Sequence, residues 1–298
     1  MELTQKQIQS FRKKILTWFE KNKRDLPWRH PSLPTSLKLR GSRKLRNGLP
    51  DPYAILVSEV MLQQTQVVRV IPKFEAWMKT FPTVHALAQA STKDVLLLWS
   101  GLGYNRRAVY LQKLANEIVK NYKSEFPQDE KTLCTLPGIG KYTARAILCF
   151  AFDKQIAVID TNVRKVILVY FKNVILSETK DIYASFSVQH DKLIQKIANM
   201  LLPKGKAYEW NQALMDYASA KLKKEKIAIP HKTPFKNSNR FYRGQIIRLL
   251  LQQSKTGAVL FGSLTGKGIT KVRFQQIVRQ MQKEQLIVLK NKKYALPE

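Results

Sequence analysis

The sequence predicts a mainly α protein that ends in a small winged-helix-like α/β module. Helical periodicity runs through segments of roughly 10–15 residues, separated by Pro-, Gly- or Asn-rich turns, over the first 222 positions. Strand signals are scarce until the end of the chain. There LIVLKNKKYAL (286–296) has the pattern of a β-hairpin turning at Asn291-Lys292, and it follows two amphipathic helices.

In chain order, helices are expected at 4–22, 53–64, 68–79, 83–89, 92–98, 104–121, 129–134, 141–152, 161–170, 189–201 and 207–222. The first places Ile8, Phe11, Ile15, Trp18 and Phe19 on one face. Residues 31–50 interrupt the pattern. PSLPTSLKLRGSRKLRNGLP has three prolines, two glycines and five basic residues with no acid, the signature of a basic loop insertion. Residues 223–239 have linker character, and 240–298 form the terminal module, with helices at 241–253 and 272–284. No repeat of fixed period is present.

Charge gives the first functional pointer. The 298 residues include 52 Lys+Arg against 21 Asp+Glu, a net charge of +31. Such an excess costs self-repulsion and makes most sense against a polyanion, nucleic acid first. From Ser219 to Glu298 there are 18 basic and three acidic residues. A hydrophobic content of 44% excludes a disordered basic tail, and no apolar run reaches the ~18 residues of a membrane span. There is no signal-peptide pattern. The two cysteines, Cys134 and Cys149, make a disulfide framework no part of the expected fold, so an intracellular, cytoplasmic protein is expected.

Four segments carry chemistry. In DPYAILVSEVMLQQTQ (51–66), the helical neighbours of Glu59 are Ile55, Leu56, Leu62 and Gln63, so its carboxylate lies on an apolar face. Burial raises a carboxyl pKa, as a general acid requires. A buried Glu with a structural partner fits the same spacing. In LPGIGKYTARAI (136–147), Pro137, Gly138, Gly140 and Lys141 suit a helix–hairpin–helix clamp that offers backbone N–H groups to phosphate. WSGLGYNRRA (99–108) places Tyr104 at a Gly-rich turn with Arg106 and Arg107 behind it, a candidate wedge into a base stack and equally a packed turn aromatic. Asp160 in AVIDTNVRKVI (157–167) suits an N-cap, and a capping carboxylate held rigidly can also stabilise developing positive charge. One buried acid and one fixed carboxylate on a duplex-binding protein fit hydrolysis of an N-glycosidic bond, with the target base flipped out of the stack.

These segments resemble the helix–hairpin–helix DNA glycosylase superfamily, and within it the A/G-specific adenine glycosylases of the MutY family. The resemblance covers about residues 5–222. RDLPWR (24–29), SEVMLQQTQ (58–66), LWSGLGYNRRA (98–108), LPGIGKYTARAI (136–147), IDTNVRKVI (159–167) and WNQALMD (210–216) carry it. It implies a two-lobed fold, with one lobe built from 1–30 and 168–222 and a helical barrel lobe at 51–167. It implies that Glu59 protonates adenine and that Asp160, supported by Asn162, stabilises the sugar cation. Tyr142 stands where lyase relatives carry a Schiff-base Lys, which implies a monofunctional glycosylase. Gln63 and Gln64 would enter the helix beside the wedge Tyr104. Arg24, Trp28 and Leu62 would line the adenine pocket, with Asp216 at an acidic position there.

Two departures are visible. The family's four-cysteine iron–sulfur cluster usually follows the ALMD-type segment, but ALMDYASAKLKKEKIAIP (213–230) contains no Cys. A clusterless member without a metal is expected. Lys221, Lys223, Lys224 and Lys226 would supply charge in the cluster's place, and the 136–141 hairpin leaves room for a monovalent cation. The larger domain that reads 8-oxoguanine in the bacterial family has no counterpart, and only the winged-helix-like tail stands there. The expectation is therefore a monomeric base excision repair enzyme acting on double-stranded DNA with a mismatched or oxidised base pair. Its substrate would be adenine opposite 8-oxoguanine or guanine, with a T/G mismatch thymine glycosylase or a non-catalytic duplex-binding protein as alternatives.

Overall fold

The structure is a computed structural model that describes residues 3–30, 48–179, 188–225 and 234–297. Most of the basic insertion (31–47), the middle of the linker (226–233) and Lys226 lie outside the described residues.

Helix α1 (Gln5–Asn22) opens on a capping box, in which Thr4 accepts from the Gln7 backbone and the Gln7 side chain accepts from the Thr4 backbone. It buries Ile8, Phe11 and Ile15. A 3-10 turn (Pro27–Arg29) follows. Next come α2 (Pro52–Leu62), α3 (Val67–Thr80), α4 (Val84–Gln89), α5 (Thr92–Trp99), α6 (Arg106–Asn121), α7 (Glu130–Leu133) and α8 (Lys141–Phe152). Then follow α9 (Thr161–Tyr170), α10 (Lys172–Thr179), α11 (Val188–Leu201) and α12 (Ala207–Lys221). The terminal module holds α13 (Asn239–Gln252), β1 (Lys255–Thr256), α14 (Gly257–Thr265), α15 (Lys271–Lys283), β2 (Val288–Lys290) and β3 (Lys293–Ala295). Its antiparallel sheet has the order β1-β3-β2.

Packing explains the two lobes. Helix α2 is buried from Tyr53 through Met61 and packs against α8, α3 and α6. A helix surrounded in this way needs no polar face, which is why its sequence is an almost continuous apolar run. In the other lobe α1 packs on α12, and α12 on α9. Arg12 of α1 donates to the carbonyls of Met200, Leu201 and Leu202 at 3.0, 2.9 and 2.9 Å, closing the C-terminal end of α11. The first and last helices of this region therefore share one body, and the site lies where that body meets α2 and α8.

Three expectations are corrected. The helix expected over 53–64 stops at Leu62, so Gln63 and Gln64 lie on a turn, with Gln64 at φ 57°. The helix expected from 104 starts at Arg106, and Tyr104 has φ 48°. Helices α10 and α14 and strand β1 were not anticipated. The hairpin turn lies at Asn291 and Lys292, both with positive φ (50° and 61°), the geometry of a type I′ turn. Among the described residues no helix is long and apolar enough to cross a membrane.

Candidate active site

Glu59 sits in the last turns of α2 and is 7% exposed. Its carboxylate accepts a hydrogen bond from the Tyr142 hydroxyl of α8 at 2.7 Å. Burial pushes its pKa up to about 7, and the charge of Asp160 adds to the rise. The Tyr142 bond and the Arg29 charge oppose it. Burial and the neighbouring Glu59 and Asp160 charges also hold the Tyr142 phenol well above its ordinary range, so it stays a donor.

Asp160 caps α9. Its Oδ1 accepts from the Val163 backbone at 2.7 Å, and its Oδ2 accepts from Asn162 Nδ2 at 2.8 Å. Burial raises its pKa, and these hydrogen bonds limit the rise without cancelling it. The segment leading to it is tied to α12 by the buried Asn211, which accepts from Val158 N at 2.8 Å and donates to Ile156 O at 2.9 Å. The two carboxyls thus have different surroundings. Glu59 faces a phenol and apolar walls, whereas Asp160 sits in a ring of N–H donors. A buried carboxyl beside a carboxylate held by fixed donors can act chemically as an acid and a stabilising anion.

A second cluster adjoins the first. Asp216 of α12 is 1% exposed and both its oxygens are engaged. Arg24 donates from its backbone N at 3.0 Å and from Nε at 2.7 Å, and Arg29 donates from both terminal nitrogens at 2.8 Å. Burial alone would raise the Asp216 pKa, but the two guanidiniums outweigh it and hold the carboxylate below its usual range. Asp216 therefore positions Arg24 and Arg29. Trp28 is buried edge-on against Phe74, and Leu62 is half-buried at the end of α2. Arg29 and Asn211 were not singled out in the sequence. For Asn211 the signal was a polar residue beside Trp210 at the start of WNQALMD, and for Arg29 a second arginine beside the buried Trp28 of RDLPWR.

The hairpin and the turn that carries Tyr104, the candidate wedge, flank α2. Gly138 has φ 80°, and a Cβ there would meet Tyr110 Cβ at 3.0 Å. Gly140 is the N-cap of α8 with ordinary negative φ, and Lys141 is exposed. Tyr104 is 37% exposed, and its hydroxyl donates to Gln64. Arg107 ties the wedge to α2. It donates to the carbonyls of Val60, Met61 (3.2 Å), Gln63 (2.9 Å), Leu102 (3.1 Å) and Gly103 (3.1 Å), and it stacks over Trp99. Burial pushes its pKa down to about 10, which leaves it charged at neutral pH. A cleft of about 220 Å³ runs between these parts, lined among others by Gln63, Arg106, Tyr110, Pro137 and Gly138.

Comparison with known proteins bears on the fold and on the family likeness. Residues 57–181 match the family described as HhH-GPD superfamily base excision DNA repair protein. An adenine DNA glycosylase of Mycobacterium tuberculosis is 43% identical over 153 residues, 51% of this chain and 45% of that protein. That of Rattus norvegicus is 38% identical over 211 residues, 70% of this chain and 37% of that protein. The chain spans about half the length of the mycobacterial relatives it matches. A thermostable thymine-DNA glycosylase superposes with a TM-score of 0.59 at 28% identity, covering 78% of this chain and 92% of that one. An endonuclease III–DNA complex superposes with a TM-score of 0.56 at 18% identity, covering 78% and 93%. The fold is thus that of the helix–hairpin–helix glycosylases.

Proposed function

We propose that this MutY-like HhH-GPD chain is a monofunctional DNA glycosylase that removes adenine mispaired with 8-oxoguanine or guanine in duplex DNA. The observation that carries the proposal is the Glu59–Tyr142 hydrogen bond beside the capped carboxylate Asp160. Glu59, protonated near neutral pH, gives its proton to the departing adenine. The C1′–N9 bond breaks and positive charge develops on the sugar. Asp160, locked by Val163 N–H and Asn162, stabilises that cation without reorganising. Water then attacks C1′, and its proton returns to a carboxylate, which restores the acid for the next cycle. Tyr142 holds Glu59 in place and has no amine with which to form a Schiff base, while the neighbouring Lys141 is exposed at the start of α8. This arrangement supports hydrolysis without strand cleavage.

The hairpin 136–141 supplies backbone N–H groups to a phosphate, and Gln63, Gln64 and Tyr104 fill the space left by the flipped nucleotide. The iron–sulfur cluster usual in the family takes four thiolates. The chain has two cysteines, and Cys149 is buried in α8, where Asn211 donates to its Sγ at 3.3 Å. This donor set does not fit a cluster, so we infer a clusterless enzyme.

Incubation with duplexes carrying adenine opposite 8-oxoguanine or guanine, followed by hot alkali, is expected to break the adenine strand. Without alkali the strand stays intact. Glu59→Gln is expected to abolish the break. No alkali-labile site in either duplex would overturn the substrate assignment, and excision by Glu59→Gln at the wild-type rate would overturn the mechanism.

A further inference from the structure

The terminal module meets the rest of the molecule at the wedge. Arg240, in the first turn of α13, holds its guanidinium over the Tyr104 ring, 5.0 Å from the centroid, and donates to the Tyr104 hydroxyl. That hydroxyl donates onward to Gln64. Two other contacts fix the module in this place. Gln285 accepts from Lys113 of α6 at 2.6 Å, and Glu284, paired with Arg243, stands 3.8 Å from Arg106. Gln64 and Tyr104 both hold left-handed backbones, at φ 57° and 48°. Side chains held in such sparsely populated conformations cluster at functional sites. Arg240 lies outside residues 57–181, the stretch the family match covers.

We propose that Arg240 is a specificity-determining residue. Delivered by the terminal module, it donates to the O6 edge of the guanine-type base that stays behind when adenine leaves the duplex. The inference rests on the function proposed above. A flipped base leaves a gap one stacking layer deep, and its former partner presents an unpaired edge there. A group bonded to the wedge hydroxyl stands within reach of whatever the wedge touches. Guanidinium is a planar array of donors, and O6 of guanine is an acceptor it can meet. 8-oxoguanine keeps O6, whereas its N7 carries a hydrogen and donates, so O6 is the acceptor the two bases share. Adenine carries a donor amine at that position, so the contact favours guanine and 8-oxoguanine over adenine as the remaining base. The alternative role for a basic side chain here is a phosphate contact, which carries no base preference.

The test compares single-turnover excision by the full chain on duplexes with adenine opposite guanine, 8-oxoguanine or 2-aminopurine, the last a purine without O6. Wild-type protein is expected to prefer both O6-bearing partners to 2-aminopurine. In Arg240→Ala that preference is expected to shrink by about 10- to 150-fold, the worth of one hydrogen bond to a charged group. Arg240→Lys keeps the charge and a donor for O6 and is expected to retain part of the same preference. Thermal melting of both variants checks that they fold. An equal slowing on all three duplexes would overturn the inference in favour of a phosphate contact, and unchanged rates would remove Arg240 from the interface. Wild-type protein inactive on every duplex would overturn the proposed function and this inference with it, whereas activity without a shift in preference would sink only the inference.

Discussion

At the residue scale, Glu59 shows the conflict between stability and chemistry. In the unfolded chain it titrates near 4.5, and in the native protein burial moves it to about 7. The native state therefore binds the extra proton between those values. The stabilisation that proton gives is fully present below pH 4.5 and is lost as pH rises through 7. Glu59→Gln keeps an acceptor for Tyr142 and removes the buried charge. Its Tm is expected to equal that of wild type near pH 4.5 and to exceed it above pH 7, by up to about 3 kcal/mol of stability. Equal Tm values at pH 8 would contradict the buried carboxylate. The same titration shapes the rate. Single-turnover excision by wild type is expected to fall about tenfold per pH unit above 7, as the acid form disappears.

At the element scale, the hairpin separates two glycines that the sequence presents as a pair. Gly138 has φ 80° and lies 3.0 Å, by its missing Cβ, from Tyr110, whereas Gly140 has negative φ and nothing within 4 Å. Gly138→Ala is expected to cost about 2–3 kcal/mol by denaturant unfolding and to weaken duplex binding. Gly140→Ala is expected to cost less than about 1 kcal/mol, since it changes only a cap. Similar losses for both would refute the turn geometry. The limits of sequence reasoning follow the same line. Helices 141–152 and 161–170 were read to the residue because Gly140 and Asp160 mark their starts locally. Burial of Glu59 was visible because its helical neighbours are apolar. The ends of α2 and the start of α6 were not visible. The left-handed turns at Gln64 and Tyr104 depend on Arg107 reaching across to α2, a long-range bond with no local trace. Helix α14, GAVLFGSLT, was missed because small and apolar residues surround it without a period. Arg29 and Asn211 emerged only once their partners Asp216 and Val158 were brought to them.

At the scale of the whole molecule, the charge of +31 takes on a location. The terminal module docks beside the wedge through Arg240 and through Glu284, which is 10% exposed and sits between Arg243 and Arg106. An acid so placed neutralises the seam and leaves the basic surplus on outer faces. The β2–β3 hairpin is one such face, with Lys290, Lys292 and Lys293 exposed around its turn. If the wedge and the hairpin 136–141 engage one stretch of duplex, a module fixed to the wedge brings that wing within range of the flanking backbone. Each phosphate contact releases counterions, so the logarithm of affinity falls with the logarithm of salt by about 0.9 per contact. Replacing the three wing lysines with glutamine is expected to flatten that slope by about 2–3 while leaving the preference for the opposite base intact, because phosphate contacts carry no sequence information. Fluorescence anisotropy on an adenine·guanine duplex across a salt series measures the slope. A slope equal to that of wild type would place the wing away from DNA.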